Sequence, residues 1–204
     1  MKRTVHHLIA ALVVATAGFA GTADAAMLFT DPGGTNWRDH PGAVGLSFTV
    51  TGGNDLTVTA LGFIDQDEDG LAQDHRVGLW DSSGSLVGEV TVASGIGATL
   101  IDGFRYVDLA GPVTLTLGQS YTIGAETFDG TGADLFRDDG TSATLGAEIG
   151  SPAALYRETY NRPEYEHPGT GFVAPNMVYA PVPEPASLTL AGLGGLALLV
   201  RRRR

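Results

Sequence analysis

The chain has 204 residues, 43% hydrophobic and 17% charged, with no cysteine and a formal net charge of −11 at pH 7. The missing cysteines exclude disulfides, thiolate metal sites and cysteine nucleophiles. Setting aside the two ends, 21 of the 23 acids and six of the 12 basic residues stay in the middle, a balance of −15 without a single lysine, which disfavours nucleic acid as a partner and suits divalent cations or simple solubility outside the cell.

The amino terminus reads as a Sec signal over residues 1–25. Lys2 and Arg3 precede an apolar run from Leu8 to Phe19, and Ala23-Asp24-Ala25 supplies an A-x-A site with cleavage after Ala25. Residues 26–180 then form one domain, long enough to bury a core. Within it, Leu46, Phe48 and Val50 alternate with Ser47 and Thr49, and Leu56 to Phe63 alternates with threonines before turning apolar on both faces. Arg76 to Trp80 and Ser85 to Val92 flank Asp81-Ser82-Ser83-Gly84, the clearest hairpin. Further strands are expected at Phe104 to Leu109, Val113 to Leu117 and Tyr121 to Glu126, with Gly118-Gln119 turning the last two, and weaker ones at Thr144 to Ile149 and Met177 to Tyr179. Ser151 and Pro152 have the chemistry of a short helix start. Many short strands without βαβ alternation or a fixed repeat predict an all-β fold, an antiparallel β-sandwich with the jelly roll as one form of it.

The sharpest candidate site is Asp65-Gln66-Asp67-Glu68-Asp69-Gly70-Leu71. Acids at positions one, three and five with glycine at six can wrap oxygens around Ca²⁺, with Asp74 as a further ligand. The twelfth position is Arg76 instead of a bidentate glutamate, and a strand follows, so this is no EF-hand; a solvated acidic turn is the competing reading. Asp134 with Asp138-Asp139-Gly140 reads as a loop. Glu164, Glu166 and His167 could bind metal or move protons, but Pro163 and Pro168 bracket them as an exposed loop. No G-x-S-x-G elbow or P-loop lysine is present, and the middle holds only His40, His75 and His167 as candidate bases. No catalytic residue is assigned, and the expectation is a protein that is not an enzyme.

Two segments, His75 to Val87 and Phe104 to Ala125, carry a strand ending G-L-W-D, a glycine turn, and later P-V-T-L-x-x-G-x-x-Y. They resemble a β-sandwich family of unknown function found in proteins with the tail described next. That resemblance implies the fold and transfers no catalytic residue; Trp80 and Tyr121 read as packing.

Residues 181–204 are of another kind. Pro183-Glu184-Pro185 is followed by the uncharged stretch Ala186 to Val200 and then by Arg201, Arg202, Arg203 and Arg204. As a helix the fifteen apolar residues reach about 22 Å, short of a ~30 Å hydrocarbon core, so the arginines must snorkel, and they mark the cytoplasmic side. The order of triplet, short transmembrane helix and arginine block resembles the PEP-CTERM sorting signal. It implies transient anchoring in the inner membrane, recognition of Pro183, Glu184 and Pro185, and processing by an exosortase-type enzyme, with delivery to the cell envelope or extracellular matrix.

The function expected from these features is an exported, non-enzymatic structural or adhesive protein associated with the envelope or with extracellular polysaccharide. A calcium-stabilised carbohydrate-binding module is the alternative, for which Trp37, Tyr160 and Tyr165 would have to share one exposed face. A secreted hydrolase is the second alternative, and it requires a cleft with two facing carboxylates.

Overall fold

The computed structural model describes residues 24–30, 36–128, 133–138, 144–168 and 172–183. The expected leader as far as Ala23, Asp139-Gly140, and the tail from Glu184, with its apolar stretch and arginines, lie outside the described residues. Among the described residues there are strands and turns but no helix, and no helix long and apolar enough to cross a membrane.

Two antiparallel sheets hold the core. The first runs in the order β1 (Ala26–Met27), β15 (Pro175–Pro181), β5 (Leu56–Ile64), β9 (Phe104–Leu115), β8 (Thr99–Ile101). The second runs β14 (Tyr165–Glu166), β13 (Ile149–Arg157), β4 (Gly42–Val50), β10 (Ser120–Thr127), β6 (His75–Asp81), β7 (Leu86–Val92). Two-residue pairings of β3 (Trp37–Arg38) with β11 (Phe136–Arg137), and of β2 (Phe29–Thr30) with β12 (Thr144–Leu145), lie beside them. Without the additions β8, β13 and β14, the orders are β1-β15-β5-β9 over β4-β10-β6-β7, and apart from the β6–β7 hairpin each link from β4 onward crosses between sheets. That connectivity is the jelly roll.

The core follows from period-two alternation. Val44, Leu46, Phe48 and Val50 of β4, Val77 and Leu79 of β6, and Ile123 and Ala125 of β10 are buried in one cluster with Leu56, Val58, Leu61 and Phe63 of β5 and Met177 and Tyr179 of β15. The double apolar run of β5 has a local cause: its register with both neighbours shifts between Val58 and Ala60, so the inward phase changes from Leu56 and Val58 to Leu61 and Phe63.

Three expectations change. The two strands expected at Phe104 to Leu109 and Val113 to Leu117 are one strand, β9, whose residues between Asp108 and Val113 bulge out of the β5 register. The helix start at Ser151-Pro152 lies instead inside β13, near its beginning. Ser151 has φ of +49° and the register with β4 shifts between Gly150 and Ala153, so Pro152, which has no N–H to give, sits in a bulge where no ladder bond is needed. The strand expected at Thr144 to Ile149 is split between β12 and the first residue of β13.

Candidate functional site

The acid-rich loop after β5 is organised by a residue of the chain. Asp65 is buried and its Oδ2 accepts from Arg105 Nε at 2.6 Å and from the Gly70 amide at 3.1 Å. The same guanidinium donates to the carbonyls of Glu68, Ile96 and Ala98 at 3.2–3.3 Å, so one cation gathers a carboxylate and three carbonyl oxygens. Glu68 at φ +58° and Gly70 at φ +110° bend the loop around it. Of the four acids expected to share calcium, Asp65, Asp67 and Asp69 line one hollow of about 250 Å³, where Asp134 stands instead of Asp74. Asp65 is committed to Arg105, Asp74 accepts from the Ser94 amide at 2.8 Å, and Asp67 and Asp69 are exposed at the rim. Among the described residues no group of three or more His, Asp or Glu is placed to hold a metal ion.

Asp134, expected in a loop, points inward. It accepts from the amides of Ala72 and Gln73 and from His75 Nε2 at 3.1 Å, while His75 Nδ1 faces the Glu126 carbonyl at 2.8 Å. Both ring nitrogens face oxygens, so the ring is held from both sides. The ring is fully buried and stacks on Phe63, centroids 3.7 Å apart, tying β6 to β5. Burial alone would raise the Asp134 pKa, but the hydrogen bonds from His75, Ala72 and Gln73 outweigh it and hold it below the ordinary carboxylate value. This is a fastening for the loop between β5 and β6.

The two sequence patterns of the middle are also structural. In Gly78-Leu79-Trp80-Asp81, Leu79 enters the core, Trp80 folds over Gly78, where any Cβ would strike its ring, and Asp81 Oδ1 accepts from the amides of Ser83 and Ser85, closing the hairpin. In the later pattern Gly118 takes φ of +77° to turn β9 into β10, and Tyr121 Oη accepts the Thr116 amide at 2.9 Å across that turn. Trp80 and Tyr121 are buried, as expected of packing residues.

The aromatic residues proposed as a sugar platform do not share a face. Trp37 packs against the core and Tyr160 lies under Arg76, 3.9 Å from guanidinium carbon to ring centre, with its hydroxyl on Glu89. Tyr165 is exposed on β14 and packs on Tyr156.

What the structure adds is a pocket of about 310 Å³ where β3 and β11 cover the start of β4 and the end of β13. Gly42 makes it: at φ +106° it lies so close to the Arg157 carbonyl that no side chain fits, which brings His40 edge-on to Tyr156 with centroids 5.5 Å apart. Arg38 Nε bonds Asp138 Oδ2 at 2.6 Å, and His167, expected in an exposed loop, packs on Phe172 and faces Asp138 Oδ1 at 3.8 Å. Its neighbours in that loop do face solvent, Glu164 pairing with Arg157 at 2.9 Å and Glu166 exposed. The lining comes from positions 38 to 172, too dispersed for a motif. The available clue was that two of the three histidines outside the ends, His40 and His167, meet here.

Of the sorting triplet only Pro183 is described. It follows Val182, whose amide donates to the Asp55 carbonyl at 2.8 Å. The family model of a domain of unknown function, DUF4082, matches residues 30–168, more than half of the chain, and the PEP-CTERM protein-sorting motif matches residues 181–204. β15, between β1 and β5, lies beyond the first match and reaches the second at Pro181. No curated protein matches the chain.

Proposed function

Because the chain belongs to the DUF4082 family and carries a PEP-CTERM sorting motif, we propose that it is a non-enzymatic structural or adhesive protein of the cell envelope or extracellular polysaccharide. The motif indicates an exported protein handled by an exosortase, with a transient membrane stage. The observation that carries the reading further is the junction of fold and tail. β15, hydrogen-bonded on both sides, ends at Pro181, and Val182 is still tied to Asp55, so the sorting triplet starts one residue beyond the last fastened amide. A jelly roll joined so closely to its sorting segment is brought to the membrane with it and, once the tail is removed, is left at the surface to which it is delivered. The non-enzymatic half is supported by how the conspicuous acids are used: Asp65 on Arg105, Asp134 on His75 and two amides, Asp81 in a hairpin. A second reading, a carbohydrate-binding module held without calcium, is favoured by the Tyr156 pocket.

The test compares producing cells that carry the full chain with cells whose chain stops after Pro183. The full chain is expected in the envelope or matrix fraction with its tail removed by intact-mass analysis, and the short chain in the medium with attachment to surfaces reduced. Equal fractionation and equal attachment would refute the adhesive role. Release of reducing ends from matrix polysaccharide by purified protein would refute the non-enzymatic one.

A further inference from the structure

We infer that the pocket between β3, β11 and the end of β13 binds a sugar ring bearing a free amine, a hexosamine unit of a polysaccharide; the inference rests on the matrix-associated role proposed above and supplies its ligand. The side chain of Asp138 is 6% exposed, and its Oδ1, buried in the pocket wall, has no hydrogen-bond partner among the described residues. Arg38 is bound to the other oxygen, and His167 Nδ1, at 3.8 Å, is too far for a hydrogen bond and lies 3.0 Å from the Pro168 carbonyl. A buried carboxylate oxygen without a donor is costly, and a donor from a ligand gains a charge-assisted bond there. His40 Nδ1 is a second buried atom without a partner among the described residues, while its Nε2 lies 3.8 Å from Glu158 Oε1, again beyond hydrogen-bond distance.

The Asp138 oxygen awaiting a donor selects a ligand that brings an N–H or O–H group. The charge of the lining selects its sign: Arg38 against Asp39, Asp138 and Glu158 is one positive against three negative, or −2 with neutral histidines. That sum opposes uronates, sulfates and phosphates and favours an ammonium. Tyr156, Phe136 and Phe172 supply the apolar wall on which the C–H face of a sugar packs and against which an ammonium is held by ring quadrupoles. The volume, about 310 Å³, is at the small end of the roughly 300–1,000 Å³ of small-molecule pockets, which suits a single ring.

The experiment is calorimetric titration of the purified full-length protein at pH 7 with glucosamine, N-acetylglucosamine, glucuronate and ethanolamine, repeated with Asp138→Asn and Glu158→Gln. Glucosamine is expected to bind at least about tenfold more tightly than N-acetylglucosamine, as loss of a charge-assisted hydrogen bond requires. Glucuronate and ethanolamine should give no measurable heat. Asp138→Asn should weaken glucosamine by about tenfold or more. Glu158→Gln, at a side chain 68% exposed where the fold is not at stake, should weaken glucosamine several-fold and leave N-acetylglucosamine unchanged. Equal affinity for the acetylated sugar, tighter binding of glucuronate or ethanolamine, or glucosamine binding indifferent to both variants would overturn the assignment. Surface attachment that persists while glucosamine binding fails refutes the pocket and leaves the adhesive role; attachment indifferent to the protein while glucosamine binds does the reverse.

Discussion

Arg105→Met tests whether the acid loop is held by an internal cation. The change strips the donor from Asp65 and from three carbonyls, and leaves a carboxylate 3% exposed with no opposite charge beside it. Breaking a buried pair from one side costs about 3–5 kcal/mol. At roughly 2–4 °C per kcal/mol for a domain of this size, the melting temperature should drop by about 6–20 °C. The double change Arg105→Met, Asp65→Asn removes the buried charge as well and should recover a large part of the loss. Differential scanning calorimetry at pH 7, with and without about 10 mM calcium, reads both arms. In the parent the guanidinium fills the oxygen cage, so calcium should not shift the transition. In Arg105→Met the cage is vacated, and for a site with Kd of about 10⁻³–10⁻⁴ M, 10 mM calcium returns about 1.4–2.7 kcal/mol. An Arg105→Met variant that melts within about 2 °C of the parent, or a parent stabilised by calcium by several degrees, would refute the reasoning.

The Asp134 fastening predicts a pH dependence. Its folded pKa is depressed, so its contribution is present above the ordinary aspartate range and is lost as pH falls through the depressed value. The melting temperature of the parent should therefore fall on acidification below about pH 5, while Asp134→Asn starts lower at neutral pH and falls less over the same window; parallel curves would remove Asp134 from the acid transition. Gly78→Ala places a methyl against the Trp80 ring and should cost about 1–3 kcal/mol in urea unfolding, with a change in the near-ultraviolet dichroism of tryptophan. An unchanged midpoint would show that the ring over Gly78 is not fixed.

The features legible in the sequence are those decided by near neighbours. The Asp81 hairpin is such a case, because the Asp81 carboxylate and Gly84 at φ +85° act within five residues. The pattern ending at Tyr121 is another, its hydroxyl reaching back only to Thr116. β13 was hidden because Ser151-Pro152 has the local chemistry of a helix start, and the hydrogen bonds of β4, a hundred residues earlier in the chain, decide otherwise. The pocket was hidden for the same reason, since Arg38 meets Asp138 only after β3 pairs with β11.

The acid loop shows which additional fact would have made the rest readable. Spacing places its first carboxylates as a calcium loop does, and Arg76 at the twelfth position with the strand that follows rules out only the EF-hand form. Once β5 and β9 are in register, Ile64 pairs with Phe104 and Phe63 with Arg105, so Arg105 shares the inward face with Phe63 at the end of the sandwich where the loop begins. An arginine forced inward must find a carboxylate, and Asp65, whose amide already bonds the Gly103 carbonyl, is beside it. The register of two strands thus fixes a positive charge at the place where the spacing of the acids alone pointed to an ion.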